Sequence, residues 1–177
     1  GDTLMTDDTI SFELSATQRE MVMSVRRLAQ ERFRDRWRQW QDGAFPWENM
    51  HDLAEIGVLS MSVPQAYGGL AMSVLDAALV LEELAKVCYV TAMAVLGEVG
   101  TQTRMIAHFA PEDIKQDILP RVASGDAVLS ICMTEPDAGT DLGRIRTKAI
   151  RSADELILSG TKTLISRADV AEGFVVF

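Results

Sequence analysis

The chain reads as an α+β protein: an all-helical N-terminal domain over residues 1–125, then an incomplete antiparallel β domain over 126–177. Three observations carry this. Apolar residues recur at helical spacing, between recognisable caps, as far as Gly125. After Gly125-Asp126 the pattern changes to short apolar runs that are partly β-branched. The last of these, Gly173-Phe174-Val175-Val176-Phe177, closes the sequence. A small sheet with an open edge is a weak unit by itself, so the chain is expected to be an N-terminal portion of a longer protein.

Each element follows from local chemistry. Ser15-Ala16-Thr17-Gln18 matches a capping box, and Met21, Val25, Leu28 and Ala29 behind it predict one long amphipathic helix ending near Gly43. Pro46 suits a first helical turn, and Met50, Leu53, Ala54 and Ile56 predict a short second helix stopped by Gly57. Val63-Pro64 to Tyr67-Gly68-Gly69 reads as a loop. Ser73 can cap a third helix with Val74, Ala77, Ala78, Leu81, Leu84 and Ala85 on its apolar face. Residues 90–109 read as a buried helix broken or loosened around Gly97 and Gly100. Pro111-Glu112-Asp113 places proline and acids where a helix begins.

In the β part, Ala127 to Met133 reads as a buried strand. Residues 144–150 and 155–158 read as two more, split by a polar turn at Ser152-Ala153-Asp154. Val175 to Phe177 begins another.

Bulk properties exclude several classes. The formal charge of −9, from 17 Lys and Arg against 26 Asp and Glu, argues against a nucleic-acid partner. The one basic cluster, Arg26 to Arg38, is interleaved with acids and reads as a solvated helix face. No apolar run approaches the ~20 residues of a membrane span. The N-terminus, Gly1 to Asp8, is acidic and unlike a secretory signal. Cys88 and Cys132 sit far apart in apolar context, as reduced core residues of a cytoplasmic protein. His51 and His108 are isolated, so no metal site is expected. Gly160-Thr161-Lys162-Thr163 lacks the earlier glycine of a phosphate loop. Glu82 and Glu83 read as a solvated helix face or a helix–helix contact. Trp37, Trp40 and Trp47 are expected to pack helices together.

The candidate site is the string after the first strand, Ile131-Cys132-Met133-Thr134-Glu135-Pro136-Asp137-Ala138-Gly139-Thr140-Asp141. Proline fixes the turn and keeps Glu135 from helical angles. Gly139 permits backbone to approach a ligand closely. Read alone, such a string also suits a plain strand-to-strand loop whose Thr and Asp bond their own backbone.

The ordered set of motifs resembles the acyl-CoA dehydrogenase family. Thr134-Glu135-Pro136 with Ala138-Gly139-Thr140-Asp141 is similar to its flavin-binding signature. Before it come Pro64 to Gly69 and Leu119-Pro120 to Gly125. After it come Arg146-Thr147-Lys148-Ala149, Leu156 to Lys162, and Leu164-Ile165-Ser166. The match runs from about residue 12 to the end. Asp137, Leu164 and Arg167 differ from the residues common in the family, which are glycine, an aromatic and asparagine.

The resemblance implies FAD as cofactor, with Ile131, Cys132, Met133, Thr134, Gly139, Thr140, Leu164, Ile165 and Ser166 around it. Thr134 would bond the pyrimidine side of the ring, and Ser166 would approach its reactive nitrogen. Donors near the ring stabilise the charge it gains on accepting a hydride. Thr140, Met93, Leu96 and Glu98 are the implied contacts to an acyl-CoA substrate. The implied activity is α,β-dehydrogenation of the thioester. The implied partners are a protein electron acceptor and further copies of the chain in a dimer or homotetramer. In the family the glutamate base lies in a C-terminal helical bundle, so no catalytic residue is assigned here and the chain alone is expected to be inactive. Two alternatives stand beside this: a flavin-dependent oxidase or monooxygenase of the same fold, and a non-catalytic half-protein acting as an assembly module.

Overall fold

The computed structural model describes residues 13–40 and 42–177. The acidic stretch at 1–8 lies outside them. Helix α1 (Ala16–Leu28) starts on Ser15, whose Oγ accepts from the Gln18 amide at 3.1 Å while Gln18 Oε1 accepts from the Ser15 amide at 3.0 Å. The run then changes its winding through a π segment (Ala29–Phe33), one-turn α2 (Arg34–Arg36) and a 3₁₀ turn at Trp37–Trp40. The single long helix expected from periodicity is therefore interrupted. The wider π turn goes with complete burial of Ala29 and Phe33.

Helix α3 (Trp47–Glu55) follows Pro46, which stands at its cap, and Gly57 ends the segment at φ +80°. In the loop that follows, Gly68 takes a φ of +82°. A Cβ on Gly69 would sit 1.9 Å from the Val63 carbonyl oxygen. Helix α4 (Val74–Ala85) has its own capping box between Ser73 and Asp76. Gln18 Nε2 donates to Asp76 Oδ1 at 2.8 Å, so the start of α1 is tied to the start of α4.

The basic run of α1 and α2 is more than a solvated face. Arg26 pairs with Glu83 at 2.8 Å, Arg32 pairs with Asp52, and Arg36 reaches Asp52 at 2.6 Å and Glu48 at 2.7 Å. These pairs cross to α3 and α4, which periodicity within α1 could not indicate. Glu83 is accordingly buried at the helix–helix contact, while Glu82 lies outside it. Trp40 and Trp47 pack on the main core. Trp37 does not: it is 40% exposed, with the Arg38 guanidinium 5.4 Å from its ring centre.

The buried stretch forms two helices, α5 (Tyr89–Val99) and α6 (Thr101–Phe109), broken at Gly100. Gly97 is an ordinary residue inside α5, contrary to the expected loosening there. Helix α7 (Glu112–Ser124) follows Pro111 at its cap and ends on Gly125 at φ +81°. Val25, Phe33, Met50, Leu53, Val80, Leu84, Val95 and Val99 make the main core. A second cluster joins Val63, Ile118, Leu119 and Val122 to Ala127 and Leu129, and so fixes where the first strand leaves the helices.

Strand β1 (Leu129–Cys132) pairs in parallel with β4 (Gly173–Val176), in register Leu129↔Gly173 to Cys132↔Val176. Strands β2 (Lys148–Ser152) and β3 (Glu155–Ser159) form an antiparallel hairpin turning at Ala153, whose φ is +53°. The expected antiparallel arrangement thus holds for the hairpin and not for β1 with β4. The long connection between those two lets the chain cross over and return in the same direction. The strand expected at 144–150 begins later, because Leu142–Arg144 is a 3₁₀ turn.

Candidate functional site

Strand β1 runs directly into the signature string. The Glu135 amide donates to the Ala138 carbonyl at 2.8 Å and the Ala138 amide returns to the Glu135 carbonyl at 3.1 Å, closing a tight turn around Pro136 and Asp137. The Glu135 side chain is turned inward, 6% exposed. It accepts from the Arg146 amide (2.7 Å), the Thr147 amide (2.9 Å), the Thr147 hydroxyl (2.5 Å) and Lys162 Nζ (3.0 Å). The Thr147 hydroxyl and the Arg146 amide are the largest influences holding its pKa down at about 2. A carboxylate given this many donors stays ionised.

Lys162 Nζ also donates to the Met133 carbonyl at 2.9 Å, and the Thr163 amide donates to the Thr134 carbonyl at 3.0 Å. Upstream, the Ser130 hydroxyl donates to the Ser166 carbonyl at 2.7 Å. These bonds hold two of the predicted groups, 131–134 and 164–166, side by side. Among the described residues the hydroxyls of Thr134 and Ser166 have no hydrogen-bond partner in the chain. Leu164 adopts φ +56° and is 87% exposed. Cys132 is buried, and that burial pushes its thiol pKa up against the opposing pull of Lys162. Gly139 and Thr140 are exposed on the turn beyond Ala138, and a Cβ on Gly139 would have nothing within 4 Å.

A cavity of about 590 Å³ opens between α5 and the segment after Ser166. It brings together Ile131 and Ser166 from one predicted set with Met93 and Leu96 from the other. Thr134, Gly139 and Thr140 do not line it. Neither does Glu98, and this corrects the expected role of that residue. Glu98 is 0% exposed, with Oε1 2.8 Å from Arg167 Nη1 and 3.3 Å from the Leu129 amide that donates to it. Burial raises its pKa to about 7 against the pull of Arg167, and its Oε2 has no partner. Burial likewise lowers the pKa of Arg167.

The sequence marks Arg167 only as an unusual residue and Gly97 only as a point of helix weakness, and gives no signal at Gln102. No local pattern links positions seventy residues apart. A second cavity of about 600 Å³, beside Met21, Leu28, Leu70 and Met72, contains none of the predicted residues. Among the described residues no group of three or more His, Cys, Asp or Glu is placed to hold a metal ion. No described helix is long and apolar enough to cross a membrane.

Comparison with known proteins agrees with this geometry. Residues 15–126 match the family model of the acyl-CoA dehydrogenase N-terminal domain, and residues 130–177 match that of the middle domain. A protein of Bacillus subtilis (strain 168) named "probable acyl-CoA dehydrogenase" is 35% identical over 136 residues, which are 77% of this chain and 36% of that protein. The crystal structure of glutaryl-CoA dehydrogenase from Mycobacterium smegmatis superposes with a TM-score of 0.83 at 34% identity, covering 92% of this chain and 42% of that one. An acyl-CoA dehydrogenase from Bacillus anthracis, complexed with FAD, shares the fold at TM-score 0.84 and 23% identity, over 95% of this chain and 30% of that one. The chain therefore spans well under half the length of these relatives. With both domain models matched in order and together covering nearly all of residues 15–177, the chain belongs to the acyl-CoA dehydrogenase family.

Proposed function

We propose that this chain supplies the flavin-facing and acyl-facing surfaces of an enzyme that carries out α,β-dehydrogenation of an acyl-CoA thioester. One observation carries the reading: 131–134 and 164–166 are bonded side by side, and the cavity lined by one residue of each, Ile131 and Ser166, is also lined by Met93 and Leu96 of α5. The residues fit FAD. Thr134 and Ser166 present hydroxyls unused by the chain, and Gly139 leaves open space for backbone to approach a ring or phosphate. When bound, FAD supplies the acceptor for the hydride that leaves the β-carbon. What the chain would do is present these hydroxyls to a ring that gains negative charge on accepting the hydride, which such donors stabilise. The exposed Thr140 is the residue we assign to the thioester end of the substrate, with Met93 and Leu96 along the acyl chain.

The base that removes the α-proton is assigned to residues outside this chain. The buried acids Glu98 and Glu135 are each held by a cation and by backbone N–H donors, one at Glu98 and two at Glu135. The protein ending at Phe177 is expected not to turn over any acyl-CoA; measured turnover would overturn that part. A protein electron acceptor, assembly into a homo-oligomer and a cytoplasmic location belong to the same proposal. Family membership supports the first two, and the two free, buried cysteines support the third.

The test is FAD binding, followed by flavin fluorescence, in the wild type and in Thr134→Val. Loss of one hydrogen bond weakens binding by about 1 kcal/mol, roughly fivefold. Equal affinity in the two proteins would remove Thr134 from the site, and no binding in either would overturn the reading.

A further inference from the structure

The cavity beside α5 has two unlike walls. One is largely apolar and includes Met93, Leu96, Ile131 and Val170, with Trp40 and Phe45 lining the cavity as well. The other is built on Arg167. Its Nη1 donates to the Ala94 carbonyl at 2.9 Å and to Glu98 Oε1 at 2.8 Å. Its Nη2 lies 2.8 Å from the Gln102 side-chain oxygen when the Gln102 nitrogen donates to the Gly97 carbonyl, also at 2.8 Å. The guanidinium rests where a side chain on residue 97 would begin: a Cβ on Gly97 would be 1.9 Å from Nη2. The Arg167 backbone adopts φ +63°, a region that residues other than glycine seldom enter. A missing Cβ, an uncommon backbone angle and a fully buried carboxylate all converge on one cation. Strain of this kind persists where surrounding structure over-determines it, and such places cluster at ligand sites.

We propose that Arg167 is a specificity-determining residue for the acyl group: it ends the apolar part of the cavity, so the site accepts short, uncharged acyl groups and gains nothing from longer chains. The inference rests on the acyl-CoA reading above and deepens it by naming the substrate class. A methylene laid against Met93 or Leu96 leaves water for an apolar wall. A methylene pressed on the Arg167–Glu98 pair desolvates polar groups and offers them no hydrogen bond in return. An acyl group ending in a carboxylate is disfavoured for a different reason. The Arg167 donors are already engaged by the Ala94 carbonyl and Glu98, and Asp169 lines the same cavity.

The experiment is calorimetric titration of the FAD-loaded full chain with butyryl-, hexanoyl-, octanoyl- and dodecanoyl-CoA, and with glutaryl-CoA as the anionic probe. Two variants accompany the wild type. Arg167→Ala combined with Glu98→Gln removes both charges, so no buried ion is left alone. Gly97→Ala keeps every charge and displaces the guanidinium by sterics; it decides the matter if the double variant fails to fold. The wild type is expected to be flat from hexanoyl to dodecanoyl. Either variant is expected to tighten about tenfold or more between hexanoyl and octanoyl, as two newly buried methylenes require. Steady tightening with length in the wild type, or an unchanged flat profile in folded variants, overturns the proposal. So does tighter wild-type binding of glutaryl-CoA than of butyryl-CoA, which would make Arg167 an anion receptor. Absence of binding by every acyl-CoA overturns the underlying reading, and this inference falls with it.

Discussion

Glu98 on α5 and Arg167 on the segment after Ser166 lie 2.8 Å apart, joining the helical region to the β region at a point where the carboxylate has no exposed surface. Removing a charge from water is costly even when a partner is present. Burial is accordingly the largest influence on Glu98 and raises its pKa from 4.5 to about 7. The folded protein then holds a proton that the unfolded chain releases. Stability present below pH 4.5 is lost as pH rises through 7. Unfolding free energy measured in urea is expected to fall across that window, at up to about 1.4 kcal/mol per pH unit. Glu98→Gln should flatten the decline. Matching slopes in variant and wild type would show that this pair does not titrate as described.

The opposite sign applies at Glu83. Arg26 is the largest influence on it and holds its pKa at about 2, against an ordinary 4.5. Its contribution is complete above pH 4.5 and disappears as pH falls toward 2. Arg26→Ala should lower stability at neutral pH, since a charge-assisted bond is lost, but only in part, because Lys86 still pairs with Glu83 and Arg26 is open to solvent. The difference between the two proteins should shrink below pH 4 or so. A constant difference down to acid would contradict the assignment.

Glu135 and Lys162 tie the signature string to the segment leading into Leu164, so, if these segments hold the flavin as proposed, uncoupling them should act on the ligand before it acts on the fold. Glu135→Gln leaves Lys162 without its carboxylate and weakens three other bonds. FAD affinity is expected to drop about tenfold, the scale of one charge-assisted bond. Far-UV circular dichroism should stay unchanged, because the helical core lies elsewhere. Unaltered FAD affinity in a folded Glu135→Gln protein would show that the clamp does not position the site.

Two glycines provide a matched pair. A Cβ on Gly69 would meet the Val63 backbone at 1.9 Å, and backbone cannot step aside as a side-chain tip can. Gly69→Ala should destabilise the protein by about 3 kcal/mol, seen as a lower urea midpoint. Gly139 has nothing within 4 Å of that position, so Gly139→Ala should change stability by less than about 0.5 kcal/mol. If Gly139→Ala nevertheless weakens FAD binding, close backbone approach to the ligand is the reason. If both variants behave alike in stability, the steric account of Gly69 is wrong.

The sequence made the helical region legible because its signals are local. Ser15 with Gln18, Ser73 before Val74, Pro111 and Gly125 each act within a turn or two, and the structure uses all of them as caps or stops. It was less informative where partners are distant. Arg26, Arg32 and Arg36 looked like a solvated face because Glu83 and Asp52 stand on other helices. Trp37 looked like packing because composition does not say which of three tryptophans faces water.

By itself the sequence determined the order of helices and strands, the position of the signature string and, through the resemblance its motifs carry, the family. Those depend on caps, periodicity and turn chemistry, which operate over a few residues. Tertiary structure decided the parallel pairing of β1 with β4, the clamp of Glu135 on Thr147 and Lys162, and the seat of Arg167 on Gly97 above a buried Glu98. Each of those joins residues far apart along the chain. Their geometry comes from burying apolar side chains of distant segments together in two clusters, and no spacing within a single segment encodes it.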